Sequence, residues 1–347
     1  MRMTLSPIAL KASLHEVIWG GQNLAAVAGK TLPPGAAIGE SWETALDSVA
    51  INEPYARLSL GELTQSLGTR LYGLRSLAIF GPRFPLLAKF LDANMWLSVQ
   101  THPDDRYAAA YENGKLGKTE AWRILAATEN ASVIHGFQEK FSRNIVEKAI
   151  ADNQLEALMH YEPVRAGDTL INLAGTVHAT GAGIVLYEIQ EYSDVTYRLY
   201  DYGRVDAKGS PRELHITKGL DVSNYNPLSS HICVRTPVAP FVETLTACRH
   251  FALQEVTLPP HTQWEYATTG ASCHIVSVIG GGGVLRWESD EFSQALEAPL
   301  GQTFVVPAEP MKYFVISGSE AMKVLVSYAP EENDPYAAAW LANQSYL

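Results

Sequence analysis

Residues 84–122 read FPLLAKFLDANMWLSVQTHPDDRYAAAYENGKLGKTEAW, and the rest of the chain makes sense around them. The apolar run is strand-like and delivers Gln100 and His102 two residues apart. Period-2 alternation sends both side chains to one face, and Ser98 falls on that face too. Glu120 follows inside GKTEAW, and His178 closes a Gly-rich turn in AGDTLINLAGTVHATG (166–181). Gln100, His102, Glu120 and His178 together supply four N/O donors, a set that suits Zn²⁺ or a similar divalent ion.

Outward from that stretch, residues 1–60 carry short apolar runs broken by PPG and GG turns, with Trp19 and Trp42 expected in the core. The Gly39-Glu40-Ser41-Trp42-Glu43 segment is either a pocket edge or a solvated strand end. Pro103-Asp104-Asp105 predicts a helix start and Asn113-Gly114 its stop. Ser142 predicts the cap of a second helix whose apolar stripe is Ile145, Val146, Ala149 and Ile150. We read this material, at about 103–160, as a small helical insertion in a β-rich chain.

From Tyr161 onward, short strands and turns alternate every 8–12 residues or so, which predicts a sandwich or barrel. Gly280 to Gly283 reads as a hairpin turn rather than a phosphate loop. Gly167–His178 is echoed by Gly301–Lys312: a Gly, an apolar strand, a turn and a polar residue at matching offsets. The echo predicts two similar barrels, 1–234 and 235–347. Only the first keeps a ligand histidine, because protonated Lys312 is a poor metal donor.

The 347 residues suffice for two such domains, and the net charge of −11 argues against nucleic-acid or anionic-membrane partners. Cys233, Cys248 and Cys273 are odd in number and lack CxxC spacing, as expected of reduced thiols. No signal peptide or membrane-length apolar run is evident, so a soluble cytoplasmic protein is the expectation.

FPLLAKFLDANMWLSVQTHPDD, GKTEAW, AGTVHATGAGIVLYEIQEYSDVTYRLYDYGR and RELH resemble the type I phosphomannose isomerases, cupin proteins, in their shorter bacterial form. The similarity runs from about Ile18 to His215. It implies a mainly β fold of two cupin-like jelly-roll β-barrels with one Zn²⁺ per chain. The ligands it implies are Gln100, His102, Glu120 and His178. The Pro that cupins often place before the last metal histidine is Leu173 here.

The implied reaction interconverts mannose 6-phosphate and fructose 6-phosphate through a cis-enediolate. A single glutamate among neutral ligands leaves the site formally about +1, which favours the developing oxyanion. Arg198 resembles the family's active-site arginine, able to stabilise that charge or hold phosphate. Glu188 points inward if its strand alternates and is a candidate base, with Glu191 as its rival. Ser98, Lys89, Lys118 and Arg204 are the candidate phosphate ligands, Lys118 also a candidate catalytic group. Lys89 stands an odd number of residues from Gln100, so its place rests on the resemblance. His135 is either an aid to ring opening or structural, and His215 is expected to be structural. The competing functions are a metal cupin of another class, such as a dioxygenase, and a non-catalytic sugar-phosphate sensor. The oligomeric state stays open between monomer and homodimer.

Overall fold

The computed structural model describes residues 5–205, 209–288, 293–334 and 337–338, so the last residues of the 235–347 half lie outside the described residues. The chain is mainly β, as expected, and its strands form two pairs of facing sheets.

The first pair holds the stretch quoted above. A six-stranded sheet runs, in spatial order, Thr169–Asn172, Glu120–Ala127, Ile184–Glu191, Leu86–Ala93, Ile38–Trp42 and Ser13–Gly21. It faces a five-stranded sheet of Tyr197–Tyr200, Val99–Thr101, His178–Ala179, Ser132–Phe137 and Met159–Pro163. The chain therefore changes sheets between Ala93 and Val99. Parity counted from Lys89 to Gln100 has no meaning across that gap, because each sheet sets its own alternation.

Leu86–Ala93 and Ile184–Glu191 are buried at every position, without polar alternation. The cause is a third layer. One face of the six-stranded sheet looks into the first sandwich with Leu91, Trp122, Ile124 and Leu186. The other, with Ala88, Phe90, Ala121, Tyr187 and Ile189, shares a core with Ile8, Leu253, Ile275, Val305 and Leu325. A strand covered on both faces gains by being apolar throughout, at roughly 1.5–3 kcal/mol per large side chain buried. Arg123 crosses this same contact, its Nε donating to Glu255 Oε2 at 2.9 Å.

Those last partners belong to an eight-stranded sheet that includes Ala252–Leu258, Met322–Tyr328, His274–Gly280 and Thr303–Val306, and also Ile8–Lys11. The first described strand thus adds to the sheet of the second half, pairing Ile8 with Val305. A four-stranded sheet closes the second sandwich over Val256, Phe304, Tyr313, Leu285 and Trp287. Gly280–Gly283 joins strands of two different sheets, so it is an inter-sheet connection and not the hairpin expected.

The echoed segments are structurally equivalent. Thr169–Asn172 to His178 passes from the larger to the smaller sheet of its pair, and so does Thr303–Val306 to Lys312. His178 is fully buried, whereas Lys312 is exposed and pairs with Glu265 at 3.1 Å.

The helical residues within 103–160 are not one block. Helices Asp105–Tyr111 and Arg143–Ala151 are separated by the strands Glu120–Ala127 and Ser132–Phe137. Asp104 caps the first, accepting from Tyr107 N at 2.7 Å, and Asn113 and Gly114 end it with positive φ. Ser142 occupies the N-cap of the second without a side-chain bond, and Val146 and Ile150 are its buried stripe while Ile145 is exposed. Among the described residues no helix is long and apolar enough to cross a membrane.

Candidate metal centre and active site

Register assembles the site. Across the five-stranded sheet, Arg198, Gln100, His178 and His135 are successive direct partners, so they share one face. Across the opposing sheet, Asn172 faces Glu120 and Glu120 faces Gln190; two residues along, Trp122, Glu188, Lys89 and Trp42 form a second row. The two inner faces put these rows opposite one another.

Two glycines make the close approaches. A Cβ on Gly117 would stand 2.5 Å from the backbone of Asp104 and Asp105, and here Lys118 N donates to Pro103 O at 3.0 Å. The loop so pinned carries Lys118 and Glu120 to His102. Gly175, at φ +89°, donates its N–H to His102 O at 2.8 Å and fixes the turn that leads into His178.

His102, Glu120 and His178 are fully buried and converge. His178 Nε2 lies 3.2 Å from Glu120 Oε1, His102 Nε2 3.5 Å from Glu120 Oε2, and Gln100 Nε2 3.5 Å from His178 Nε2. Around a tetrahedral ion with bonds of about 2.0–2.1 Å the ligand–ligand edges are about 3.3 Å, which the two histidine–glutamate separations bracket, whereas Gln100 turns its amide nitrogen to His178 and must flip to present Oε1. Each imidazole spends its other nitrogen on a carbonyl: His102 Nδ1 donates to Val195 O and His178 Nδ1 to Thr176 O, both at 2.9 Å. A carbonyl only accepts, so Nδ1 carries the proton and the Nε2 lone pair is free, the arrangement a metal-binding histidine needs. Burial and then the Lys118 charge hold His102 well below its ordinary pKa, so it stays neutral.

Glu120 Oε2 is buried and faces the Lys118 ammonium 2.8 Å away, while Oε1 accepts from Asn172 Nδ2 at 3.3 Å. Burial alone would raise this carboxyl; Lys118, His178 and His102 outweigh it and hold Glu120 well below the usual range. Two imidazole Nε2 atoms, an ionised carboxylate, and an amide that can present Oε1 fit a divalent ion.

Beside this donor set lies a buried charged chain. Glu188 receives the Trp122 Nε1–H at 3.0 Å and is 3.4 Å from Lys89 Nζ, which is 3.6 Å from Glu40. Burial, then the Glu120 charge, raises the Glu188 pKa against the pull of Lys118 and Lys89. Lys118 is itself raised, since Glu120 and Glu188 outweigh its burial. Lys89 sits 4.8 Å over the Trp42 ring. At 3.4 and 3.6 Å its carboxylate contacts are too long for hydrogen bonds, so its protons remain unspent.

The other expected residues fall in three places. Ser98 and Arg198 adjoin Gln100: Arg198 Nε donates to Ser98 Oγ at 3.3 Å and Nη1 to Glu213 O at 2.8 Å. Arg204 instead binds Asp201 and the Trp96 carbonyl, in a clamp that Arg212 shares through Nε to Asp201 Oδ2 at 2.7 Å. Glu191 faces away from the donor set, accepting from Thr119 N at 2.9 Å and lying 3.4 Å from His250 Nδ1.

Residues 8–138 match the model of the phosphomannose isomerase type I catalytic domain. The chain is 42% identical over 224 residues to the mannose-6-phosphate isomerase ManA of Bacillus subtilis, covering 63% of this chain and 69% of that protein. It is 40% identical over 220 residues to the mannose-6-phosphate isomerase of Streptococcus mutans, covering 62% of this chain and 67% of that one. It also superposes on a crystal structure of the mannose 6-phosphate isomerase from Bacillus subtilis with a TM-score of 0.80 and 31% identity, over 93% of this chain and 99% of that chain. The chain belongs to the type I phosphomannose isomerases. The matched family segment contains Gln100, His102 and Glu120, whereas His178, Glu188 and Arg198 lie beyond it and join the site through register alone. Trp42, expected in the core, is half-buried with Lys89 over its ring; Glu40, read as either a pocket edge or a solvated strand end, lies beside the same lysine, and Trp122, given no role by the sequence, donates to Glu188. The signal was present in the period-2 pair Glu40-x-Trp42, whose apolar and charged members share a face.

Proposed function

We propose that this chain interconverts mannose 6-phosphate and fructose 6-phosphate through a cis-enediolate. The observation that carries this reading is the His102–Glu120–His178 donor set with Glu188, Lys118 and Lys89 built against it in one buried network. Gln100, His102, Glu120 and His178 would hold one divalent ion, Zn²⁺ by donor type, which when bound supplies Lewis acidity to the substrate's carbonyl.

This chain's own groups do the rest. Glu188, with its raised pKa, takes the proton from C2 of mannose 6-phosphate and returns it to C1; a base poised nearer neutrality suits a two-way transfer. Lys118, charged and buried beside both carboxylates, opposes the negative charge that develops on the sugar oxygens. Arg198 faces the same charge from the edge of the Gln100 row. Ser98 and Lys89 take the phosphate, Lys89 with protons unspent, and Arg204 joins them only by leaving the Asp201 and Trp96 carbonyl contacts that occupy its three nitrogens. The fold halves divide the labour: 1–234 holds the site and 235–347 braces the doubly covered sheet behind it. A cytoplasmic location fits a hexose-phosphate substrate.

The test is a coupled assay of mannose 6-phosphate turnover beside elemental analysis of the same purified protein. Turnover with bound metal supports the reading; a metal-loaded, folded protein that does not turn over mannose 6-phosphate rejects it.

A further inference from the structure

At the far edge of the five-stranded sheet, beyond His178, lies a second collection of donors. His160 and Glu162 sit two apart on the edge strand Met159–Pro163, so they share a face. His231 comes over them from the segment that joins the two halves, and His135 reaches them from the neighbouring strand. One donor atom each from His160, Glu162 and His231 lies within 4.8 Å of the others. His135 Nδ1 is 3.1 Å from His231 Nδ1, and His160 Nε2 is 2.9 Å from Glu162 Oε2.

His135 supplies the decisive detail. It is buried, and its Nε2 donates to Ile171 O at 3.2 Å. The proton is therefore on Nε2, and the Nδ1 lone pair points at His231. That is the backbone-carbonyl arrangement His102 and His178 use, turned toward the other cluster. The other three residues are half-buried, which leaves a route to solvent.

We propose that His135, His160, Glu162 and His231 form a second metal site, separate from the first, that takes a borderline divalent ion of the Zn²⁺, Co²⁺ or Ni²⁺ class. Three imidazoles and one carboxylate are the donors such ions prefer, and hard Mg²⁺ or Ca²⁺ would be refused. The 3.1 and 2.9 Å separations are close to the roughly 3.3 Å edge of a tetrahedral shell, whereas the His160 and His231 rings, stacked at 3.9 Å and 11° from parallel, must turn out of that stack to face one ion. Because His231 lies in the connector between halves, a bound ion would tie that connector to the sheet edge.

Equilibrium dialysis of the full chain against Co²⁺ and against Zn²⁺, with the visible spectrum of the Co²⁺ form, tests this. The wild type is expected to bind a second equivalent per chain. His160→Ala and His231→Ala should each weaken that equivalent by more than about 100-fold, beyond the cost of losing an outer-shell partner, while keeping the first and its turnover. Glu120→Gln should do the reverse, losing the first equivalent and keeping the second. Thermal melts check that each variant is folded. Saturation of the wild type at one equivalent, or a second equivalent that survives both histidine variants, overturns the proposal and leaves a hydrogen-bonded histidine chain only.

Discussion

Lys118 Nζ stands 2.8 Å from Glu120 Oε2, and both groups are buried. A cation is thus fixed against the carboxylate expected to ligate a metal. It balances Glu120 electrostatically, competes with an incoming ion for Oε2, and lowers the pKa of Glu188 from the other side. In the proposed mechanism, one side chain couples metal affinity to base strength.

Lys118→Met removes that competitor and that charge. Metal content should be kept, while turnover falls by roughly 10²-fold or more, the scale of a lost electrostatic or acid–base group. Glu188, already raised by burial, loses an opposing cation, so its pKa rises further. A base works ionised, and the acid limb of the kcat/KM profile should therefore move to higher pH. A limb that stays put or moves down would remove Glu188 from the role of base.

Arg198 donates to Ser98 and to the Glu213 carbonyl and touches none of the metal donors at hydrogen-bond distance. Arg198→Lys should therefore cut turnover by roughly 10²-fold with metal content unchanged, because the planar fork that meets phosphate or enediolate is lost. Parallel losses of both, measured on one preparation, would mean a structural arginine.

The Gln100–His102 pair and Ser98 were legible because a strand's alternation needs no tertiary knowledge. Lys89 was not legible from Gln100, since the chain changes sheets between Ala93 and Val99. Nor could sequence show why Leu86–Ala93 lacks alternation: its second face is covered by residues more than 150 positions away, such as Leu253 and Leu325. A still larger separation hid Ile8–Lys11 in the sheet of the second half, and Gly280–Gly283 read as a hairpin because its two strands find their partners later in the chain, in different sheets. The echo between Gly167–His178 and Gly301–Lys312 survived because a sheet-to-sheet crossing leaves a local pattern of Gly, strand and turn.

His250, from the second half, lies between two carboxylates of the first, 3.3 Å from Asp105 and 3.4 Å from Glu191. Its pKa is raised to about 10, burial opposing and Asp105 leading the interactions that prevail, and burial lifts Glu191 to about 7. Both folded values exceed the unfolded ones. Their contribution to stability is complete below about pH 4.3 for Glu191 and about 6.5 for His250, and it is lost as pH rises through 7 and 10. Urea unfolding between pH 5 and 10 should show falling stability. His250→Gln should flatten that slope by a total on the order of a few kcal/mol. Equal slopes in the two proteins would contradict the clasp.

Proton transfer by a side chain leaves an isotopic trace. During turnover of mannose 6-phosphate in D₂O, deuterium should enter the sugar at C1 of the ketose, at least in part, and NMR of the product reads it. Transfer with no label at all would point to a hydride shift and leave Glu188 without its proposed task.

The most direct test of the central claim is chelation followed by metal return, with bound metal and mannose 6-phosphate turnover measured on the same samples, for wild type and His178→Ala. Metal at the first site and turnover should disappear together, return together on adding Zn²⁺, and fail to return in the variant. Full turnover by metal-free protein, or by His178→Ala, would contradict the assignment of Gln100, His102, Glu120 and His178 to one catalytic ion.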